Sequence, residues 1–180
     1  DKQGNKLGAD TAPKDIAESI YDIPLRKGIQ YQPHPVFARQ SDGRYSYWPL
    51  TSEHLAEKFV ISDFAQQGTR ELNAHDYVYA IRRLASPRVA SPIFSTLAQH
   101  VVGMKEYGAR LREIDTALRK DVPLGSRDLP WLDLRSVGFS GVEALDEYTL
   151  RIRVKGLYPQ FKYWLAMTFV APIPWEADRF

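Results

Sequence analysis

The stretch Arg70-Glu-Leu-Asn-Ala-His-Asp-Tyr-Val-Tyr-Ala-Ile-Arg-Arg-Leu-Ala-Ser-Pro87 decides how the rest of this chain is read. Asn73 has a side-chain oxygen that can accept an N–H of a first helical turn. Asp76 stands three positions on, where it can answer the cap's own N–H. Leu72 and Tyr77 have the spacing of a hydrophobic staple. Tyr77, Val78, Ile81 and Leu84 then recur at helical spacing, and Ser86-Pro87 stops the run after about three turns. The spacing predicts a capped amphipathic helix with one buried face.

Downstream, Ser91-Pro92 predicts a second helix, with Ser91 as cap and Pro92 at the first helical position. Phe94, Leu97, Ala98 and Val101 mark its buried side, and Gly103 interrupts it. Positions 105–120 form a further amphipathic pattern, with Tyr107, Leu111, Ile114 and Leu118 inward and a charged outer face. A Pro/Gly-rich connection at 121–130 leads to a strand pair: 142–145, a turn at Asp146-Glu147, and 148–154. In the second strand Tyr148, Leu150, Ile152 and Val154 share one face, as in a half-buried antiparallel strand. Tyr158-Pro159 opens a short helix with Phe161, Trp164 and Leu165, and Ala171-Pro-Ile-Pro is extended.

Upstream, positions 1–19 are polar and read as a linker or loop. Positions 20–26 alternate and enter a turn at Lys27-Gly28, which predicts a strand, with Pro24 at an edge or a non-donating position. The segment 29–68 is crowded with Pro, His and Tyr and carries the turn Ser41-Asp42-Gly43. It is too long for a simple connection and is expected to be a surface insertion or a loop with structure of its own, with a short helix opening at Thr51-Ser52-Glu53. The expected fold class is α+β, a small mixed or antiparallel sheet packed against several helices, with 20–180 as one domain.

Composition removes several classes of function. The chain has 180 residues and no cysteine, so disulfides, cysteine–zinc sites, iron–sulfur clusters and cysteine nucleophiles are excluded. Basic and acidic residues number 24 and 22, a net charge of +2, which provides no strong field toward nucleic acid or an anionic membrane. The basic stretch 70–120 interleaves its charges and reads as solvated helix faces. No apolar run reaches the roughly 20 residues needed to span a bilayer, so the chain is not expected to span a membrane. The start at Asp1, without a methionine, and the stop at Phe180 just as Trp175-Glu-Ala-Asp opens a helix imply a piece of a longer protein.

No set of groups for catalysis is legible. Glycines are isolated rather than gathered in a phosphate loop, and His34, His54, His75 and His100 lack metal-ligand spacing. His75 and Asp76 tempt one toward an acid–base pair, but neighbours on a helix point about 100° apart. They read as a first-turn surface pair. Asp146-Glu147 reads as a turn with two solvated carboxylates, Pro33-His34-Pro35 as a rigid exposed loop, and Tyr158, Phe161, Tyr163, Trp164 and Phe169 as core packing rather than ligand stacking. No catalytic, cofactor-binding or metal-binding residue is assigned, and no cofactor is expected.

Four stretches, in order, carry a resemblance to a known family. The segment from Arg70 to Pro92 resembles the part of dipeptide-, oligopeptide- and nickel-binding proteins in which a Leu/Val-Thr-Ala-Glu-Asp sequence opens a helix ending in Arg-Leu. Here Asn73 and His75 replace Thr and Glu. Tyr21-Asp-Ile-Pro-Leu-Arg-Lys-Gly-Ile is similar to the family's strand and turn, Gly141-Val-Glu-Ala-Leu-Asp-Glu-Tyr-Thr-Leu-Arg-Ile to its hairpin, and Tyr158-Pro-Gln-Phe through Ala171-Pro-Ile-Pro to the stretch that follows. The departure is the segment of about forty residues before the capped helix, where compact members carry a short turn.

The resemblance implies a fragment of an extracellular solute-binding protein of a bacterial ABC importer, with a periplasmic-binding-protein type II-like architecture and a periplasmic or extracytoplasmic location. It implies a membrane permease and a peptide or other small solute as partners, and no enzymatic activity. This piece would be the accessory domain of the N-terminal lobe, mainly buttressing the ligand-binding lobe. Ligand contacts are expected in sequence outside it and none is assigned here. Apolar surface left by missing neighbours would favour dimerisation of the fragment. The alternative is a stand-alone protein-interaction or scaffold domain using 29–68, and scattered His and carboxylates are all that stands behind a hydrolase.

Overall fold

A computed structural model describes residues 1–123, 126 and 129–180. Three strands, β1 (Glu18–Pro24), β2 (Val142–Asp146) and β3 (Thr149–Lys155), form an antiparallel sheet in the order β1-β3-β2. Alternation along β3 fixes the register. Leu150, Ile152 and Val154 are buried and lie opposite Ile23, Tyr21 and Ser19 of β1, and Val142 of β2 also faces Ile152. The other face is charged. Arg151 pairs with Asp22 directly across the ladder at 2.7 and 2.8 Å, and Arg153 reaches diagonally to Glu18.

Two details of the sheet differ from the sequence pattern. β1 begins at Glu18, two positions before the expected start, because the Arg153 ion pair and a hydrogen bond from Ser19 Oγ to the Gly156 carbonyl extend the pairing. Tyr148 lies in the turn rather than in β3. Pro24 falls at the end of an edge strand, where its missing N–H breaks no ladder.

The helices are α1 (Ser52–Leu55), α2 (Ala74–Leu84), α3 (Phe94–His100), α4 (Met104–Leu118), α5 (Phe161–Trp164) and α6 (Trp175–Arg179). α2 and α3 lie against the sheet, and α4 packs on α3. Val78 and Ile81 of α2, Leu97 of α3, and Met104, Tyr107 and Leu111 of α4 join the inner face of β3 in one core with Leu132, Leu134, Phe139 and Phe161. The Tyr107 hydroxyl, carried into this core, donates to the Leu134 carbonyl at 2.6 Å, and burial pushes its pKa up. Gly141 is required where it stands: a Cβ there would run into the Val102 carbonyl, which approaches because Val102 N–H bonds Arg153 O and Arg153 N–H bonds Gly141 O.

α3 does not start at Ser91-Pro92 as expected. Pro92 and Ile93 form a turn closed by the Phe94 N–H on the Ser91 carbonyl, the Ser91 hydroxyl caps no N–H of the helix, and the first helical residue is Phe94. Gly103 does separate two helices, in left-handed conformation (φ 71°) before α4. The expected 121–130 connection contains Leu124, Gly125, Arg127 and Asp128, which lie outside the described residues.

Candidate functional site

The segment 29–68 is zipped shut at its base. Leu72 N–H bonds Ile29 O, Tyr31 N–H bonds Arg70 O, and His34 and Gly68 exchange both backbone hydrogen bonds. Its near half is folded into the body, with Val36, Phe37, Ala38 and Phe64 buried, and the turn at Ser41-Asp42-Gly43 closes a small hairpin. Thr51 caps α1 in a capping box with His54. The outer part is bare: Phe59 is 91% exposed, and Leu55, Val60 and Ile61 are also exposed.

Where this segment meets α2 and α6, Arg70 is the centre. A guanidinium has five N–H donors, and here all are used. Nε and Nη2 bind both carboxylate oxygens of Glu176 at 2.8 Å, Nη1 and Nη2 bind those of Asp76 at 2.9 and 2.6 Å, and Nη1 also donates to the Glu71 carbonyl. Its faces meet the rings of Tyr31 and Phe37. Burial alone would push the Arg70 pKa down, but the hydrogen bonds with Asp76 and Glu176 outweigh it and hold it above the ordinary arginine range.

Asp76 therefore does two tasks: it accepts the Asn73 N–H in the capping box and binds Arg70. The surface-pair reading of His75 and Asp76 is corrected for one member. His75 is exposed, but Asp76 is 1% exposed, because the turn that caps the helix aims it inward at Arg70. Glu176 is 3% exposed and also accepts from the Tyr45 hydroxyl, which in turn accepts from Arg39. Burial raises the Tyr45 pKa, and the Glu176 charge adds to it. On the same short helix Asp178 accepts from Tyr79 Oη and Arg83 Nε. Arg135 lies 3.7 Å over the Trp175 ring, and Arg179 approaches Trp131 and Trp48.

This cluster can clamp and cannot readily turn over a substrate. Both buried carboxylates are bound by a permanently charged partner, so neither is a free base. Nothing in the sequence pattern singled out Arg70 or Glu176 for this role. The remaining predicted residues are dispersed. His34 accepts the Val36 N–H and its pKa is pushed down by burial, His54 is in the α1 cap, and His100 stacks on Tyr158 at 4.0 Å. Asp146 accepts the Tyr148 N–H in the hairpin turn, while the Glu147 carbonyl receives the Ala74 N–H and so ties that turn to α2. Of the aromatic series only Phe161 is fully in the core. Tyr158, Trp164 and Phe169 are half-buried, and Tyr163 is exposed, because a helix of one turn has an outer side.

Among the described residues no three His, Asp or Glu side chains are gathered as metal ligands, and no helix is long and apolar enough to cross a membrane. A concavity of about 450 Å³ lies elsewhere, between the turn after α2 and the side of α4.

The chain is 29% identical over 163 residues to the periplasmic oligopeptide-binding protein OppA of Salmonella typhimurium. The similarity covers 90% of this chain and 24% of OppA, so the chain spans about a quarter of that protein's length. No protein-family model matches the chain, and no solved structure matches it.

Proposed function

We propose that this chain is part of an extracytoplasmic solute-binding protein that captures peptides or similar small solutes for an ABC importer, and that it acts by binding without chemistry. The observation that carries the reading is the similarity to the oligopeptide-binding protein along 90% of the chain.

Within such a protein residues 20–180 are the accessory domain of the N-terminal lobe, with 29–68 as its insertion. The Arg70 clamp supports a buttressing role, since it holds α6 against the insertion and α2, and a rigid piece of this kind transmits lobe closure to a docked permease. The periplasm and the permease partner belong to the same reading.

Titration calorimetry of the full-length protein with a peptide mixture is the test. Saturable heat is expected, and no heat with any peptide or other small solute counts decisively against the reading.

The bare apolar tip of 29–68 favours a second reading, a protein-interaction domain that uses Phe59, Val60 and Ile61 as its contact. A pull-down partner lost on Phe59→Asp, with no solute binding, would support it.

A further inference from the structure

The concavity beside α4 is not used by the clamp or by the reading above. It has a volume of about 450 Å³, within the roughly 300–1,000 Å³ of small-molecule sites. Leu84, Val89, Pro92 and Phe94 provide an apolar wall, Arg112 stands at its rim, and Ser91 lines it.

The polar groups here are unevenly satisfied. Asp115 accepts from both Arg88 and Arg119 at 2.7 Å, so two guanidinium groups share one carboxylate. Glu113, the other acid on this part of α4, is held by Arg110. Arg112 has no carboxylate or other side-chain partner among the described residues, Nη2 of Arg88 is buried without a partner, and so is the Ser91 hydroxyl. The last carbonyls of α2 do not compete for these cations, because those of Arg82 and Arg83 are bound by the N–H groups of Ala85 and Ser86. The lining therefore combines a hydrocarbon wall, the Arg112 guanidinium and the Ser91 hydroxyl, a donor that one bond rotation can redirect.

We propose that this hollow binds a carboxylate attached to an apolar body, with the body on Leu84, Val89 and Phe94 and the carboxylate bound by Arg112 with help from Ser91. A free aryl or alkyl acid and the C-terminal residue of a peptide share that chemistry.

Calorimetry on the full chain with 3-phenylpropionate, its primary amide, and the peptide N-acetyl-Phe-Leu tests the proposal. At least one of the two acids is expected to bind, the small acid alone if the hollow takes free acids and the peptide more tightly if it takes C-termini. The amide is expected to bind about tenfold more weakly than 3-phenylpropionate, because it forfeits a charge-assisted hydrogen bond. Arg112→Gln, at an exposed helix position, should leave the melting temperature unchanged and weaken the acids about tenfold, and added salt should weaken them as well. Val89→Trp, which fills the hollow, should abolish this binding. Equal affinity for acid and amide, 3-phenylpropionate binding that survives Arg112→Gln, or no Arg112-dependent heat with either acid at millimolar concentration would overturn the proposal. Peptide binding that persists in both variants belongs to another site and bears on the importer reading alone.

Discussion

Arg70 and Glu176, 106 positions apart, are joined by two parallel hydrogen bonds of 2.8 Å in the body of the protein. Asp76 binds the same guanidinium from the other side, so one cation holds the helix that carries the cap and the last helix of the chain. Replacing Arg70 by Met leaves two carboxylates, 1% and 3% exposed, facing one another without a counter-charge. The expected loss is about 3–5 kcal/mol of stability, read from urea denaturation. Arg70→Lys should recover only a minor part, since an ammonium cannot present donors to both carboxylates in fork geometry. A lysine variant of native stability would show that the fork geometry is immaterial.

The Asn73 cap makes a smaller and separable contribution. Its side chain accepts the His75 N–H at 3.0 Å, so Asn73→Ala should cost about 1 kcal/mol and Asn73→Asp or Asn73→Ser very little. Thermal melts of the three variants distinguish capping from a role for the amide itself.

Acid should loosen the junction between α4 and the turn before α3. Burial would raise the Asp115 pKa, but the hydrogen bonds with Arg88 and Arg119 outweigh it and hold it below the ordinary 3.8. A depressed folded-state value means that the contribution is complete above 3.8 and is lost as pH falls through the lower, folded value. Stability measured downward from about pH 4 should therefore fall less steeply in Asp115→Asn than in the parent protein.

Gly141→Ala tests the close approach at the sheet. The added methyl meets the Val102 carbonyl, and that carbonyl is fixed because the neighbouring N–H groups are bonded to β3 and to Gly141 itself. A destabilisation of about 1–3 kcal/mol is expected in a denaturant titration. Ile152→Ala, at the buried centre of β3, should cost about 2–5 kcal/mol by leaving a cavity.

The parts of this protein that were legible in advance are those governed by neighbours in sequence. The cap at Asn73, the apolar stripe of α2 and α4, the alternation of β3 and the interruption at Gly103 all follow from interactions within a few residues, where spacing alone sets which side chains meet. The start of α3 was misplaced by a local competition. Ser91 has the chemistry of a cap, yet its carbonyl closes a turn over Pro92 and Ile93 that periodicity does not reveal, and its hydroxyl caps nothing among the described residues.

Composition and spacing therefore account for the set of elements, their buried faces and the absence of cysteine chemistry. How distant elements pack decides that Asp76 points inward rather than to solvent, that Arg70 and Glu176 meet, and that Arg112 stands beside a hollow with no side-chain partner among the described residues. The reason is physical. Periodicity reports which face of an element is apolar, whereas the partner of a charge is fixed by how distant elements pack, and pairs across about a hundred residues leave no local pattern.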